Sequence, residues 1–253
     1  MERLKVEIVN KIAYVKMIRS HNEWDDLFAQ ELRETAEILY DADNVQVVVI
    51  GSTGDHFSIG MTLEGTAYEA IADEYKTVQL AAKAIKSWAK LPYPIIAAIQ
   101  GDCSSYGFSL ATVADLRFVS SNARFFSPEL SWGVVPAGGL TQRLPRIIGK
   151  GPAMAVLLGG EVVTAEQSVA LGLANQVVPD AWTEACRQAE RFLNYSPLAL
   201  QYTKECILRG SELPFDQGLR QELDLYMVLQ TSEDRMEGVS AFIEKRTPIY
   251  KGE

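Results

Sequence analysis

The sequence predicts an α/β fold with a mainly parallel sheet and a helical C-terminal part. Short apolar runs alternate with segments of helical periodicity over the first two thirds of the chain. Two of the runs, 47–50 and 95–99, are apolar at every position, as expected of parallel strands buried on both faces. After residue 193 only helical periodicity remains. We therefore expect a core at residues 1–193 and a helical subdomain at 194–253.

The chain opens with a pattern that is typical of a β-hairpin. Apolar and polar residues alternate over 6–8 and 13–17, with Asn10-Lys11 at the turn. Between Trp24 and Tyr40 the apolar residues recur at helical spacing, which predicts a helix that Asn44 ends. The apolar positions of this helix are Phe28, Leu32, Ala36 and Leu39.

Two units of strand, loop and helix follow. The strand at 47–50 leads through a Gly-containing loop into a helix at about 67–89, which Pro92 and Pro94 stop. The strand at 95–99 leads through residues 101–107 into a second helix, and 116–119 is a third strand. The later helices are predicted at 198–208, 215–230 and 232–245.

The composition excludes several classes of function. With 253 residues, of which 47% are hydrophobic, the chain can form a full core. The formal net charge of −9 argues against nucleic acid or an anionic membrane as partner. Residues 28–44 carry one cation, Arg33, so this helix offers no basic surface for RNA.

Neither a metal site nor a membrane segment is predicted. The three cysteines show no C-x-x-C spacing, and there are two histidines, so we expect neither a disulfide framework nor a zinc cluster. The N-terminus is charged, and no apolar run is long enough to cross a bilayer. These features favour a soluble cytoplasmic protein.

One carboxylate, Glu129, lies in an unusual sequence environment. It follows a short apolar strand, precedes a Gly/Pro-rich turn, and is the only charged residue between Arg124 and Arg143. A carboxyl group in apolar surroundings holds a proton more readily than one in water, which suits it to accept and return protons near neutral pH. The alternative is that Glu129 caps the helical turn that follows. The local sequence leaves both interpretations open.

Two loops of small residues follow buried strands. Residues 57–61 include Gly60, which allows a tight bend and close approach of a ligand. Residues 104–107 open a helix, whose first N–H groups favour negative charge. Two backbone N–H groups that converge on one oxygen form an oxyanion hole. The alternative is that both loops are ordinary turns.

Four motifs together resemble the crotonase (enoyl-CoA hydratase/isomerase) family over nearly the whole chain. Pro128-Glu129 with residues 136–144 is close to the family pattern P-E-x-x-x-G-x-x-P-G-x-G-G-T-Q-R-L. Residues 57–61 are similar to its F-x-A-G-x-D loop, and 19–22 to a shortened R-P-x-x-x-N turn. Residues 242–248 match its F-x-E-K-R-x-P ending.

The resemblance implies a fold, a substrate class and a set of site residues. The fold is a crotonase-like spiral of ββα units with a C-terminal helical subdomain that forms trimers or hexamers. The substrate is an acyl-CoA thioester, with no separate cofactor and no metal. By position, Met61 and Tyr106 donate N–H bonds to the thioester carbonyl, and Glu129 is the acid/base. The substrate and CoA positions are Arg19, Asn22, Gly60, Thr62, Leu63, Glu64, Ser109, Trp132 and Lys245. Arg246 and Lys251 either meet CoA phosphates or form a solvated basic tail.

Departures from the family pattern bear on the reaction. Ser109 stands where hydratases carry a first glutamate, and a hydroxyl without a partner base cannot act as a general base. One shuttling base is enough to move a proton between two carbons, so we predict an isomerase-like enzyme of fatty acid metabolism. A hydratase, or a hydratase-lyase of the kind that acts on hydroxycinnamoyl-CoA, stays open. Tyr106 in the glycine cluster and Thr62 in the first loop also leave open a non-catalytic member that binds acyl-CoA.

Overall fold

The fold combines two sheets with ten helices in the part of the chain that the structure describes. The computed structural model describes the backbone of residues 1–61 and 71–253, and the side chains of the same residues except 71–74. The strands are β1 (Leu4–Val9), β2 (Ile12–Met17), β3 (Val47–Ser52), β4 (Ile95–Ile99), β5 (Asp102–Ser104), β6 (Leu116–Val119), β7 (Arg124–Phe126), β8 (Val163–Thr164) and β9 (Gln176–Val177). The helices are α1 (Asp26–Tyr40), α2 (Ile71–Trp88), α3 (Ser105–Ala111), α4 (Leu140–Ile148), α5 (Lys150–Leu157), α6 (Ala165–Ala170), α7 (Ala181–Phe192), α8 (Pro197–Gly210), α9 (Phe215–Leu229) and α10 (Glu233–Glu244). A short 3-10 helix (Glu129–Trp132) follows β7.

The main sheet has six strands in the order β1-β2-β3-β4-β6-β9. β1 and β2 form the predicted antiparallel hairpin, with Val6 opposite Val15. Asn10 and Lys11 have φ values of 50° and 64°, which gives the turn a twist that matches the strands. The pairs from β2 to β9 are parallel. The predicted α/β class with a mainly parallel sheet is confirmed.

The central strands are buried on both faces, which explains their continuous apolar sequences. Val47 and Val49 of β3 pack in a cluster with α7, which contributes Ala181 and Ala185. The alternate residues, such as Val48, join the larger cluster with apolar residues of α1, α2 and α3. Successive side chains of a strand point to opposite faces, so both sets must be apolar.

A second, smaller sheet has the order β5-β7-β8, with strands of two or three residues. β5 and β7 are parallel, and Ser104 at the end of β5 lies opposite Phe126 at the end of β7. The chain enters α3 directly after β5, and reaches Glu129 three residues after β7. This pairing therefore places the start of α3 beside the segment that carries Glu129.

The C-terminal part contains α8, α9 and α10, as predicted. The predicted boundary at residue 193 falls between α7 and α8, where the Gln46 amide donates to the carbonyls of Phe192 (2.9 Å) and Tyr195 (2.8 Å). No residue of α9 is buried, and the helix exposes Leu219, Leu223 and Tyr226. The division into a core and a subdomain stays a prediction.

One predicted helix limit differs from the structure by several residues, and another falls outside the described residues. α1 ends at Tyr40 with Asp41 as its C-cap, four residues before the end expected from the pattern. The predicted start of the second helix at residue 67 lies outside the described residues, and α2 is described from Ile71. None of the helices in the described ranges has the length and hydropathy needed to cross a membrane.

Candidate active site

A small cavity of about 70 Å³ brings together the three residues that the sequence analysis predicted as catalytic. Met61 is the last residue of the first loop, Tyr106 lies in the first turn of α3, and Glu129 opens the 3-10 helix. The cavity is lined by Met61, Val78, Ser105, Tyr106, Glu129, Val134, Val135 and Ala137. Apart from the first loop and the start of α3, the wall is largely aliphatic, and Glu129 is its one acidic residue within the described part of the chain.

Gly60 allows the first loop to lie directly against the start of α3. Its φ is 73°, a conformation that favours glycine. A Cβ atom added there would lie 2.6 Å from the Ser104 carbonyl oxygen and 2.8 Å from the Tyr106 nitrogen. Because there is no side chain at this position, the Met61 and Tyr106 backbones become neighbours.

The hydroxyl of Ser58 fixes this loop from behind. It accepts hydrogen bonds from Trp24 Nε1 (3.1 Å) and the Gly60 N–H (3.2 Å), and donates to the Asn22 carbonyl (2.7 Å). Ser58 is fully buried and pairs with Cys103 in a parallel bridge. The first loop is therefore tied both to β5 and to the Trp24 segment.

The second loop places Ser105, rather than Tyr106, in the left-handed region. Ser105 has a φ of 52°, and its hydroxyl accepts a long hydrogen bond of 3.4 Å from the Met61 N–H. A serine with this φ stores backbone strain, as residues at functional sites often do. Tyr106, in the first turn of α3, has a negative φ and carries no strain of this kind.

Tyr106 is one of the residues that line the cavity, and its side chain packs into the core. The ring is 3% exposed, and its centroid lies 5.4 Å from that of Trp24. Trp24 in turn packs edge-on against Phe28, at 5.2 Å. The large side chain that replaces glycine in the family pattern thus has a place in an aromatic cluster.

Glu129 is buried and is held by a neighbouring serine. It is 4% exposed, and the Ser127 hydroxyl donates to its Oε2 at 2.6 Å. Among the described residues, this hydroxyl is the only hydrogen-bond partner of the carboxylate. The N-cap of the 3-10 helix is Pro128, and no side chain caps it. The alternative that Glu129 serves as a helix cap is therefore wrong.

Ser109 lies behind the cavity wall and does not line the cavity. It is fully buried, and its hydroxyl donates to the Ala137 carbonyl at 2.8 Å. Gly138, which follows Ala137, has a φ of 69°, and a Cβ atom added there would lie 3.0 Å from Ser109 Cβ. Arg143 donates to the Gly138 carbonyl (2.8 Å), and burial lowers the pKa of this guanidinium. These contacts hold the turn at 136–139 against α3.

Asn22, a predicted CoA-binding residue, uses its side chain to hold neighbouring loops. It is 2% exposed with a φ of 48°. Its Oδ1 accepts from the Arg19 N–H (3.0 Å), and its Nδ2 donates to Ser52 Oγ (2.8 Å) and the Phe57 carbonyl (3.1 Å). Arg19 itself is exposed. Contact of either residue with CoA stays a prediction.

The remaining predicted substrate positions are spread more widely. Trp132 is half-buried in the 3-10 helix, and Lys245 is exposed at the end of α10. Thr62, Leu63 and Glu64 lie outside the described residues. Arg246 forms an ion pair with Glu237 (2.6 Å) within its own chain, and this pairing lowers the pKa of Glu237 to about 2.

Three serines of the site were not predicted from the sequence. Ser58, Ser105 and Ser127 each lie within two residues of a predicted functional residue and are all buried. The available signal was a serine within an otherwise apolar run, as in 57–61 and 125–128. A buried hydroxyl needs a hydrogen-bond partner, so such a serine indicates a polar contact nearby.

The chain is similar over most of its length to a family model, to curated proteins and to solved structures. The model of the enoyl-CoA hydratase/isomerase family matches residues 7–253. The chain is 34% identical to the 2,3-dehydroadipyl-CoA hydratase of Escherichia coli (strain K12) over 92% of its own length and 91% of that protein. It is 33% identical to the (E)-benzylidenesuccinyl-CoA hydratase of Thauera aromatica, over 98% of each chain. A crystal structure of an enoyl-CoA hydratase from Bacillus anthracis superimposes with a TM-score of 0.94 at 29% identity, covering 99% of this chain and 100% of that one.

Proposed function

Because the chain belongs to the enoyl-CoA hydratase/isomerase family, whose members act on acyl-CoA substrates and share the crotonase fold, we propose that it converts an acyl-CoA thioester through an enolate. In this proposal the Met61 and Tyr106 N–H groups stabilise the enolate oxygen, and Glu129 moves the proton. The observation that carries the proposal is the single cavity that these three residues line.

The contact between the two loops supports an oxyanion hole. Gly60 lies against the Ser104–Tyr106 segment so closely that an added Cβ would come within 2.8 Å of the Tyr106 nitrogen. The Met61 N–H donates to Ser105 Oγ at 3.4 Å, which is long for a hydrogen bond and is readily exchanged for a better acceptor. Donors fixed in this way stabilise developing charge without reorganisation, which is often the largest contribution to catalysis.

The setting of Glu129 supports proton transfer between two carbon atoms. Glu129 is buried and shares the cavity wall with Val134, Val135 and Ala137, and the Ser109 hydroxyl is engaged with a backbone carbonyl. A single base can take a proton from one carbon of the acyl chain and return it to another. We therefore favour an enoyl-CoA isomerase-like reaction.

Hydration of a 2-enoyl-CoA is the second candidate function. It is favoured by the names of similar proteins, since both the Escherichia coli and the Thauera aromatica relatives are called hydratases. In this case Glu129 would handle the added water without help from Ser109. A hydratase-lyase would share the same enolate chemistry.

Exchange of deuterium from heavy water into saturated and 3-enoyl-CoA thioesters tests the proposal. We expect exchange at the carbon next to the thioester in the wild type, and a loss of about 10²-fold or more in Glu129→Gln, because a positioned acid/base contributes about 10²–10⁴-fold. Binding of the CoA ester, measured by calorimetry, should be nearly unchanged. Glu161→Gln serves as the control, since Glu161 is exposed.

The outcomes separate the candidates. Unchanged exchange in Glu129→Gln would overturn the role of Glu129. Binding without exchange in either protein would indicate a non-catalytic member. Formation of 2-enoyl-CoA from 3-enoyl-CoA without hydration would support the isomerase, whereas addition of water to 2-enoyl-CoA would support the hydratase.

A further inference from the structure

The carboxylate of Glu129 presents two oxygen atoms in different surroundings. Oε2 accepts the Ser127 hydroxyl at 2.6 Å, a short bond typical of a hydroxyl that donates to a carboxylate. Both residues are buried. Within residues 1–61 and 75–253, whose side chains the structure describes, Oε1 has no protein hydrogen-bond partner, and Glu129 lines the cavity. The two oxygens are therefore unequal before any substrate binds.

The position of Ser127 is set by backbone pairing rather than by a flexible loop. The residue directly before it, Phe126, closes β7 and lies opposite Ser104 of β5. Pro128, with its fixed φ, separates Ser127 from Glu129. Ser127 thus directly follows a strand of the small sheet, and another strand of that sheet leads into Ser105 and Tyr106. The hydrogen bond from Ser127 therefore fixes Glu129 relative to the second loop.

We infer that Ser127 is a positioning residue that holds Oε2 of Glu129 and leaves Oε1 to exchange the proton with the acyl chain. This inference rests on the proposed enolate chemistry. A glutamate side chain has three rotatable bonds, and its other neighbours in the cavity wall are largely aliphatic groups that cannot fix it by hydrogen bonds. Without Ser127 the carboxyl group would rotate among several orientations, only some of which place an oxygen at the reacting carbon.

The inference predicts a specific kinetic change in Ser127→Ala. The rate of exchange at saturating CoA ester should fall by about 10- to 100-fold, because small misplacement of a reacting group has an effect of this size. The KM for the ester should stay within about twofold, since binding of the CoA part does not involve this hydroxyl. Ser127→Thr keeps the hydroxyl and should recover the rate to within about threefold of the wild type.

Ser131→Ala is the matched control. The Ser131 hydroxyl donates to the Pro128 carbonyl at 2.7 Å, so its removal perturbs the same segment without touching the carboxylate. We expect kcat close to that of the wild type in this variant.

The inference is overturned if Ser127→Ala keeps the wild-type kcat, if its defect lies in KM alone, or if Ser131→Ala is equally slow. It is also overturned if Ser127→Thr, folded and binding the ester, is as slow as Ser127→Ala. Failure of the proposed function looks different, because then the wild type shows no exchange or Glu129→Gln retains it.

Discussion

At the residue scale, Ser109 and Ser127 have different hydrogen-bond partners, although both are buried serines near the cavity. Ser127 donates to the carboxylate of Glu129, whereas Ser109 donates to a backbone carbonyl behind the cavity wall. A hydroxyl that is engaged in this way and lies outside the cavity has no direct contact with a substrate. We therefore expect Ser109 to contribute to stability rather than to proton transfer.

Replacement of Ser109 by alanine tests this expectation. The free energy of unfolding should fall by about 1 kcal/mol, the usual contribution of one hydrogen bond, with more if the Ala137 carbonyl stays unpaired. The exchange rate should stay within about threefold of the wild type. Chemical denaturation and the heavy-water assay measure the two quantities.

Ser168→Ala is the matched control, because Ser168 is also fully buried and donates to a carbonyl, that of Ala165, in α6. A loss of activity by two orders of magnitude in Ser109→Ala, with stability like that of the control, would contradict a purely structural role for Ser109.

Glu129 could be predicted as a site residue from the sequence, whereas Ser127 could not. An isolated charge in an apolar run is a property of the sequence itself. The hydrogen bond to Ser127 depends on the turn at Pro128, which brings the two side chains to 2.6 Å. In an extended strand the same two side chains would also share a face but lie further apart, and the sequence does not distinguish the two conformations.

At the scale of elements, the close contact between the first loop and α3 determines where the two N–H donors lie. Gly60 makes this contact possible, since the atoms that an added Cβ would meet are partly backbone atoms, the Ser104 carbonyl oxygen and the Tyr106 nitrogen. Backbone atoms inside a paired segment cannot move aside as a flexible side chain can.

Gly60→Ala should therefore separate the two donors. We expect a loss of about 1–3 kcal/mol in the free energy of unfolding from the strained φ, and a fall of about 10²–10³-fold in exchange from the displaced donors. Gly151→Ala is the control, because no atom lies within 4 Å of a Cβ at that position. Denaturation and exchange assays of both variants provide the test, and full activity in Gly60→Ala would rule out the proposed oxyanion hole.

The long elements were predictable, and the pairing of the short sheet was not, although the short apolar strand before Glu129, which is β7, was expected. The β1–β2 hairpin, the strands β3 and β4, and the helices α8 to α10 each extend over enough residues for a period to show. β5, β7 and β8 have two or three residues, and no alternation can be read from so few positions. Their pairing nevertheless aligns the two parts of the candidate site, so the geometry of the site required the structure.

At the scale of the whole molecule, the C-terminal helices expose several large apolar side chains. Phe242 of α10 is 84% exposed, and Leu223 and Tyr226 of α9 are exposed as well. Large exposed apolar patches often mark contacts between proteins. The motifs predicted a trimer or hexamer, and this surface is where we expect copies of the chain to meet.

Sedimentation velocity tests this prediction. The wild type should sediment as a trimer or hexamer, and Leu223→Asp should shift it toward monomer, because a charge buried in an interface is costly. Ile38→Asp, an exposed apolar position on α1, is the control and should leave the mass unchanged. A monomeric wild type, or an unchanged mass in Leu223→Asp, would contradict the assignment of this surface.

The bridge between Ser58 and Cys103 has a consequence for side reactions of a thioester, because a thiol near the site could accept the acyl group. Cys103 directly precedes the second loop and pairs with Ser58 of the first loop, so it lies next to both loops of the candidate site. Burial raises the pKa of its thiol well above the ordinary value, and burial also raises the pKa of Cys186 to about 11. The thiolate is the nucleophilic form of cysteine. At neutral pH the Cys103 thiol therefore stays protonated, and if the proposed enolate chemistry holds, the acyl group would not pass to this cysteine and would remain attached to CoA.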